Sequence, residues 1–351
     1  MLSNAAIAEL LSQQAEQETG ILSRAFRRAA RNAFLWPEHV VDLAEQNRSL
    51  TELRGIGPFI EKQIQRWIDR PPRSIKKIPN IRRDFISLAD ARRLLARKSG
   101  WPKRLRGDLQ MHTRWSDGSG TISEMAEAAR QRSYEYIAIT DHSKTLKIAD
   151  GIDEQELSKQ GAEIAKINAL APRSSEKVTV LRSIEMNLNP SGEGDMSPRS
   201  LSRLDIALGS FHSSLRTVTD QTERYLAALR NPNIQILAHP RCRIYNYRNG
   251  LKADWPRVFA EAASLDKALE IDCYPDRQDL NVALLKIARK CGTFISLGTD
   301  AHHPWQLEFI ELGLAAALQA KIPADRIVNF MSITDLKSWV QHIRNRGVRK
   351  S

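Results

Sequence analysis

Tyr136-Ile137-Ala138-Ile139-Thr140-Asp141-His142 is the stretch that decides the fold class, because a short apolar run ends there at two polar residues. A run of this length and composition predicts a buried β-strand. After about residue 105, such runs alternate with amphipathic helical stretches, one of which opens with a capping box of Thr121 and Glu124. The alternation predicts an α/β fold with a parallel sheet or barrel.

The same pattern, a strand-like run that ends at His, Asp or Glu, recurs along this part of the chain. The further runs lie at 108–112, 179–185, 205–212, 234–239 and 293–302. In a barrel of parallel strands the carboxyl ends meet at one face, where the active sites of such folds lie. We therefore expect the polar side chains at these ends to form one site.

Five of the eight histidines stand at these ends, namely His112, His142, His212, His239 and His302. A single His after a strand is more often a hydrogen-bonded capping residue than a metal ligand, but the joint pattern is not expected by chance. Imidazoles and carboxylates are ligands of zinc and manganese, and a carboxylate can bridge two ions. Paired metals activate water and neutralise charge on a phosphoryl oxygen, so the pattern predicts a phosphoesterase.

The composition limits the class of protein. The 351 residues include 53 Lys and Arg against 41 Asp and Glu, and the net charge of +12 favours polyanionic partners such as nucleic acid, with membrane surfaces as the alternative. No apolar run approaches the roughly 20 residues that cross a bilayer, and no secretory signal is evident. Three widely spaced cysteines form no disulfide framework. We expect a cytoplasmic protein with no membrane segment.

The chain divides into three predicted segments. Residues 1–75 show helical spacing of apolar residues at 4–14, 21–33 and 36–46. Residues 76–104 are rich in Lys and Arg and are predicted to be a basic linker. Residues 105–345 carry the alternating strands and helices.

A glycine-rich turn stands in the first segment, at Leu53-Arg54-Gly55-Ile56-Gly57-Pro58. Such a turn before a helix exposes backbone N–H groups that bind phosphate. We expect Arg54, Gly55, Gly57 and Lys62 to contact DNA backbone independently of base sequence. A glycine between two helices is also common without this role.

Several motifs surround the candidate ligands: Asp108-Leu109-Gln110-Met111-His112-Thr113, Ser116-Asp117-Gly118, Ile139-Thr140-Asp141-His142-Ser143, Ser210-Phe211-His212, Ala238-His239-Pro240 and Thr299-Asp300-Ala301-His302. Together they resemble the signature set of the PHP (polymerase and histidinol phosphatase) superfamily over roughly residues 105–340. The segment Pro275-Asp276-Arg277 resembles a segment of the PHP domains of bacterial family X DNA polymerases. The glycine turn resembles the helix-hairpin-helix element in the small N-terminal domain of the same polymerases. The resemblance implies a distorted seven-stranded βα (TIM-like) barrel, a small all-α N-terminal domain and two or three zinc or manganese ions.

Carried over position by position, the resemblance implies a set of eight metal ligands with Glu185 as a bridge: His112, Asp117, His142, Glu185, His212, His239, Asp300 and His302. The family usually has His where this chain has Gln110, and an amide oxygen is a weaker zinc ligand than an imidazole. The ion held by His112 and Asp300 is therefore expected to be loose, different or absent. His303 is the alternative donor, although neighbouring residues in a strand point to opposite sides.

Basic residues near the expected rim are candidates to hold a substrate phosphate. They are Lys144, Lys147 and Arg277, for which solvated surface charge is an equal alternative. Lys147 and Arg277, with Glu185, form the predicted catalytic set. No dedicated general acid is evident, so a metal would stabilise the leaving alkoxide or water would protonate it.

Three functions follow from these features. The first is a metal-dependent phosphoesterase that acts on DNA, as a nuclease such as a 3'-5' exonuclease or as a DNA-end phosphatase in repair. The second is a small-molecule phosphatase of the histidinol phosphatase type, against which the basic N-terminal half argues. The third is a DNA-binding scaffold with a degraded metal site. Polymerisation is not expected, because no room for a polymerase palm lies before Asp108.

Overall fold

The computed structural model describes residues 2–74, 77–170 and 177–348. Its N-terminal part contains four helices: α1 (Asn4–Gln17), α2 (Gly20–Asn32), α3 (Val40–Glu45) and α4 (Pro58–Asp69). The Ser3 hydroxyl caps α1 by accepting a hydrogen bond from the Ala6 N–H. The helices bury one apolar core, which includes Ile7, Leu11, Phe26, Ala29, Trp36, Leu43 and Ile64. The three helical stretches expected before residue 47 are thus present as α1, α2 and α3.

The N-terminal core continues into the rest of the molecule. Phe85 and Tyr245 belong to the same buried cluster, and the ring centroids of Phe34 and Tyr245 lie 4.8 Å apart. The Tyr245 hydroxyl also lies 2.9 Å from the Ser12 hydroxyl oxygen. The N-terminal helices are therefore docked on a loop of the C-terminal part.

The basic segment that follows is packed on both sides. It contains a 3-10 turn (Asn80–Arg82) and α5 (Leu88–Ala96). The buried Arg82 guanidinium donates two 2.9 Å hydrogen bonds to Glu9 of α1. Farther along, the Trp101 indole N–H donates to the Leu314 carbonyl at 3.1 Å. The boundary predicted between residues 75 and 76 lies on two residues outside the described ranges.

Among the residues described after position 105, eight parallel strands are present: β1 (Gly107–Asp108), β2 (Tyr136–Ile139), β3 (Thr179–Arg182), β4 (Glu185–Asn187), β5 (Leu208–Ser210), β6 (Ile236–Leu237), β7 (Ala268–Asp272) and β8 (Phe294–Gly298). They form two sheets, in the orders β1-β2-β3 and β4-β5-β6-β7-β8. Single parallel bridges, His142 with Glu185 and Met111 with Ala301, join the two sheets. The α/β class with parallel strands is confirmed. One continuous seven-stranded ladder is not what the strand pairing shows, and that barrel stays a prediction.

Helices lie in the connections between the strands: α6 (Ile122–Gln131), α7 (Glu154–Leu170), α8 (Pro198–Leu201), α9 (Thr222–Arg230), α10 (Trp255–Ser264) and α11 (Val282–Cys291). Two further helices follow β8, α12 (Ile310–Ala320) and α13 (Ile333–Val348). The capping box predicted at Thr121 and Glu124 is confirmed at the start of α6. Trp339 of α13 packs in one buried cluster with Tyr136 of the first sheet and Ile236 of the second. No helix within the described ranges combines the length and hydropathy needed to cross a membrane.

Candidate metal centre

The polar residues at the strand ends converge on one face, as parallel pairing requires. They are His112 after β1, His142 after β2, Glu185 at the start of β4, His212 after β5, His239 after β6, and Asp300 and His302 after β8. The bridges between β2 and β4 and between the ends of β1 and β8 bring the two sheets together at this face.

Glu185 lies at the middle of the cluster and is fully buried. One carboxylate oxygen, Oε1, lies 2.6 Å from His239 Nε2 and 3.2 Å from His212 Nε2. The other oxygen, Oε2, lies 3.3 Å from both His112 Nε2 and His142 Nδ1. A carboxylate that faces imidazoles with both oxygens has the geometry of a bridge between two cations.

A second group of candidate ligands lies around Asp117 at the edge of the cluster. Its Oδ1 lies 3.4 Å from His302 Nε2 and 3.6 Å from His142 Nε2. The rings of His112 and His142 stack with centroids 4.3 Å apart, and His112 and His302 lie 4.5 Å apart. All four residues therefore present donor atoms to one small volume.

A third group of candidate ligands includes Asp300, whose Oδ1 lies 3.0 Å from His112 Nε2. Within the described residues, three sets have ligand atoms that all lie within 4.8 Å of one another: His112, Asp117, His142 and His302; His142, Glu185 and His212; and His112, Glu185 and Asp300. His239 touches the shared Glu185. The eight predicted ligands are thus brought together by the fold.

In two of the imidazoles the Nδ1 atom lies within hydrogen-bond distance of a neighbouring oxygen, so that the Nε2 atom faces the cluster. Nδ1 of His302 lies 2.7 Å from the Asp300 carbonyl oxygen, and Nδ1 of His212 lies 3.2 Å from Asn187 Oδ1. Partners of this kind fix the tautomer and ring orientation of metal-binding histidines.

Asp141, the residue before His142, organises the loop between His112 and Asp117. Its buried carboxylate accepts hydrogen bonds from the Thr113 N–H and hydroxyl, from the Ser116 hydroxyl and from Gln160, all at 2.6 to 2.7 Å. With four donors, this carboxylate acts as a support for the loop and not as a further ligand.

The backbone at two candidate ligands departs from the usual conformations. His239 has φ of 26° and Asp300 has φ of 52°, both in the left-handed region that costs energy for residues other than glycine. Such backbone persists when the surrounding structure holds it, and it is concentrated at functional sites.

The electrostatics of the cluster favour cations. Burial opposes ionisation of Glu185 and Asp300, yet the surrounding imidazoles, and for Asp300 also Arg277, lower the pKa of both carboxyls. Burial lowers the pKa of His142 to about 3, aided by repulsion from other imidazoles, so this ring is neutral at pH 7. Burial also opposes protonation of His112, but Asp300 and Glu185 outweigh it and raise its pKa well above 6.5.

Several buried nitrogen and oxygen atoms of the cluster form no hydrogen bond. They include Nδ1 of His112, Nδ1 of His142 and Oε2 of Glu185. Buried polar atoms without hydrogen bonds are costly, and Nδ1 of His142 and Oε2 of Glu185 lie 3.3 Å apart without forming one, so the pair fits a site built to hold a divalent cation.

A family model described as the PHP domain matches residues 108–295, which is more than half of the chain and includes six of the eight ligand candidates. The chain belongs to the PHP domain family. The sequence-based recognition of this family is confirmed, and with it the prediction of a hydrolase of phosphoester bonds.

Relatives of this PHP protein fall into two kinds. The DNA polymerase/3'-5' exonuclease PolX of Bacillus subtilis is 34% identical over 239 residues, which are 68% of this chain and 41% of the relative. A probable phosphatase of Caldicellulosiruptor saccharolyticus is 25% identical over 65% of this chain and 90% of its own length. The chain thus spans less than half of the length of the first relative.

A solved structure also aligns with the chain. It is the histidinol phosphate phosphatase of Lactococcus lactis complexed with zinc, L-histidinol and phosphate, with a TM-score of 0.44 and 16% identity. The alignment covers 61% of this chain and 93% of that structure.

Gln110 is fully buried and lies two residues before the candidate ligand His112. Neither its Oε1 nor its Nε2 has a hydrogen-bond partner. A Cβ at Gly298 would lie 3.0 Å from Gln110 Oε1 and 2.2 Å from Glu270 Oε1, so glycine there lets these two side chains approach each other. His303, the alternative donor, is instead exposed, and its Nδ1 accepts a hydrogen bond from the Trp305 N–H at 3.4 Å.

Sequence reasoning missed β7 and the two acidic residues that it places beside the centre. Glu270 and Asp272 are fully buried, and burial together with the charge of neighbouring carboxylates raises the pKa of both. Glu270 Oε2 accepts a 2.8 Å hydrogen bond from the His239 N–H. The available signal was the run Ala268–Asp272, which directly precedes the Pro275-Asp276-Arg277 motif.

The predicted basic residues have different surroundings. The pKa of Arg277 is raised although burial opposes it, because Asp300, Asp272 and Asp276 surround the guanidinium. Lys144 instead donates to Glu154 at 2.7 Å. Lys147 is exposed on the turn after β2. The structure therefore brings Arg277 to the ligand cluster, while Lys147 stays a prediction.

The glycine turn of the N-terminal domain lies against a rim loop. Gly55 has φ of 77° and Gly57 precedes α4, so the turn requires glycine and opens the helix. The Arg54 guanidinium lies 4.7 Å from the ring centroid of Trp305, close after His302 in the chain. Lys62 is exposed on α4.

Proposed function

We propose that this PHP protein is a metal-dependent phosphoesterase that cleaves phosphoester bonds of DNA at a multinuclear centre. The observation that supports the hydrolytic part best is the buried Glu185 carboxylate, which faces four imidazoles at 2.6 to 3.3 Å. The eight candidate ligands would hold two or three zinc or manganese ions. Such ions supply Lewis acidity, which activates water and neutralises charge on phosphoryl oxygens.

The protein's own groups orient and balance this centre. Asp141 fixes the loop that carries Asp117, and the neighbours of His212 and His302 hold those rings in place. Arg277 brings a positive charge beside Asp300 and is suited to contact a phosphoryl oxygen. Lys147, on the exposed turn after β2, is proposed to approach the substrate from solvent.

We also propose that the two sheets act as one distorted seven-stranded barrel. Only Ser183 and Ile184 separate β3 from β4, so the two strands count as one bent strand between β2 and β5. The bridge from Met111 to Ala301 supports closure between β1 and β8. The shared cluster under α13, with residues of both sheets, supports the same interpretation.

The DNA part of the proposal depends on how the N-terminal helices are placed. They contact three loops that follow strands bearing ligands or acidic residues: Ser12 contacts Tyr245, Arg31 lies 3.5 Å from Asp276, and Arg54 stacks on Trp305. A duplex bound at the glycine turn would therefore lie near the metal centre. The named activity of the Bacillus subtilis relative, a 3'-5' exonuclease, agrees with this arrangement.

The test uses the intact chain, a labelled duplex with a recessed end and an aryl phosphate. We expect Arg54→Gln combined with Lys62→Gln to raise KM for DNA, to reduce the salt dependence and to leave aryl phosphate hydrolysis unchanged. Arg48→Gln is the control, because Arg48 is a partly exposed arginine of the same helical segment that pairs with Glu38 and Glu52 away from the glycine turn. Equal effects of the two changes on DNA cleavage would contradict the DNA-binding role.

A small-molecule phosphatase is the second candidate. It is favoured by relatives named probable phosphatases, which match about two thirds of this chain over nearly their whole length. This alternative predicts efficient hydrolysis of small phosphomonoesters, DNA cleavage no better than background, and no kinetic effect of Arg54→Gln on either substrate.

A further inference from the structure

A polar cavity lies between residues 80–85 and the loop 241–252, which follows the candidate ligand His239 in the chain. Its volume is about 330 Å³. We call it the basic pocket, and its charged lining residues are Arg83, Asp84, Arg241, Arg243, Arg248 and Lys252. Five of these six side chains are basic, so the pocket has a strongly positive potential.

Arg243 is the structural member of this group. It is buried, its guanidinium donates to the carbonyls of Gln278 and Asp84 at 2.7 and 2.9 Å, and it stacks on Phe85 at 4.0 Å. These contacts join the loop after β7 to the segment before α5, so the pocket has a fixed wall.

The other four basic side chains have no carboxylate within ion-pair distance among the residues described. The side-chain hydrogen bonds of Arg83, Arg241 and Arg248 go to backbone carbonyls. Lys252 is exposed. The single acidic lining residue, Asp84, is engaged by the Asn281 amide at 3.3 Å. The positive charge of the pocket is therefore largely uncompensated.

Arg241 supplies a second, independent observation. Its Nε is buried and has no hydrogen-bond partner. A buried guanidinium N–H without an acceptor costs free energy unless a ligand satisfies it. Gly250 has φ of 84°, and a Cβ there would lie 3.0 Å from the Cβ atoms of Arg241 and Arg243, so the loop folds tightly around these arginines.

The pocket is tied to the metal centre through the chain. Arg241 follows the ligand His239 by two residues. Its backbone N–H donates to Asp279 Oδ2 at 2.7 Å, and Asp279 pairs through its backbone with Asp272 of β7. The loop that starts just after the candidate ligand His239 thus also lines the pocket, and β7 supports both.

We propose that the basic pocket binds a backbone phosphate of the nucleic-acid strand whose phosphoester is hydrolysed at the metal centre. The inference rests on the proposed function and adds a requirement, because it assigns the substrate at least two phosphates. A free phosphomonoester engages only the metal centre. A nucleic-acid strand gains additional charge-assisted contacts in the pocket. The affinity of the protein is therefore expected to be higher for a substrate with several phosphates than for one with a single phosphate.

The experiment compares Arg83→Gln/Lys252→Gln with wild type. Both residues are exposed, so the fold is retained. Lys166→Gln/Lys337→Gln is the control, because it removes the same charge from exposed positions outside the pocket. The substrates are an aryl phosphate and thymidine oligonucleotides of two to eight residues. Binding of a fluorescent thymidine octanucleotide to metal-free protein gives a readout that does not depend on catalysis.

We expect the pocket variant to weaken octanucleotide binding about tenfold and to lower the slope of log affinity against log salt by about 1. KM for the oligonucleotides should rise while kcat and aryl phosphate hydrolysis stay unchanged. If binding and KM match the control while metal-dependent hydrolysis persists, the pocket inference is overturned and the phosphoesterase proposal stands. If no variant or wild-type protein hydrolyses any phosphoester, the proposed function itself fails.

Discussion

Replacing Glu185 with Gln tests whether the buried carboxylate is a shared metal ligand. The substitution keeps the size of the side chain but removes its charge and converts one oxygen to an NH₂ group. Two of the three candidate ligand sets contain Glu185, whereas the set of His112, Asp117, His142 and His302 does not. We therefore expect ions bound through Glu185 to be lost selectively.

The magnitude follows from the contacts. Loss of an outer hydrogen-bonding partner already lowers metal affinity by about 10- to 100-fold, and Glu185 faces four imidazoles directly. Glu185→Gln should therefore weaken binding at the two shared sets by more than about 100-fold, or about 2.7 kcal/mol each.

The assay is the metal content of protein dialysed against limiting zinc or manganese, measured by inductively coupled plasma mass spectrometry. Glu9→Gln is the matched control, because Glu9 is equally buried but pairs with Arg82 in the N-terminal core. A Glu185→Gln protein that is folded and retains the wild-type metal content would refute the bridging role.

Three further predictions concern metal preference, pH and domain docking. Gln110→His should raise zinc affinity without loss of stability, because the buried amide has no hydrogen-bond partner to lose; competition with a zinc chelator measures this. Burial lowers the pKa of Lys267 to about 7, whereas a lysine in the unfolded chain has a pKa near 10.5. Between these two pH values the unfolded state binds more protons than the folded state, so the free energy of unfolding rises with pH. Lys267→Met should thus increase the free energy of unfolding by roughly 4 kcal/mol at pH 7, less the loss of the hydrogen bond that the ammonium donates to the Asn231 carbonyl, and urea titrations should show this gain falling as the pH rises to 10.5. Arg82→Met should cost about 3–5 kcal/mol because it leaves Glu9 buried and unpaired, whereas the exposed Arg48→Met should leave the urea midpoint unchanged.

The sequence was informative where local pattern determines structure. Short apolar runs predicted β2, β5 and β8 because buried parallel strands are apolar on both faces. The candidate ligands were predicted because most of them stand at or just after the end of a strand-like run, and parallel pairing brings those ends to one face.

β7 was missed because its burial depends on partners that are distant in the chain. Glu270 and Asp272 put two carboxylates into a strand that is buried along its whole length, so the run Ala268–Asp272 was only a weak local signal for a buried strand. Their environment is set by His239, Asp300 and Arg277, which come from other connections of the fold.

The packing of the basic segment was also beyond local pattern. Arg92 of α5 donates to Glu308 and Glu311, which lie more than 200 residues away in sequence. The stacking of Arg54 on Trp305 and the assembly of the basic pocket likewise join distant segments. Charge composition shows that these arginines are present but does not show which side chains they meet.

The most direct test of the metal-dependent phosphoesterase is hydrolysis of an aryl phosphate by metal-stripped protein, with zinc or manganese restored and His239→Ala as the comparison. His239 Nε2 lies 2.6 Å from Glu185 Oε1, so removal of this ring should disturb the shared carboxylate. We predict turnover only after a metal is restored, and a loss of at least about 100-fold in kcat/KM in the variant. Absence of turnover with every metal in folded wild-type protein, or equal turnover by His239→Ala, would contradict the account.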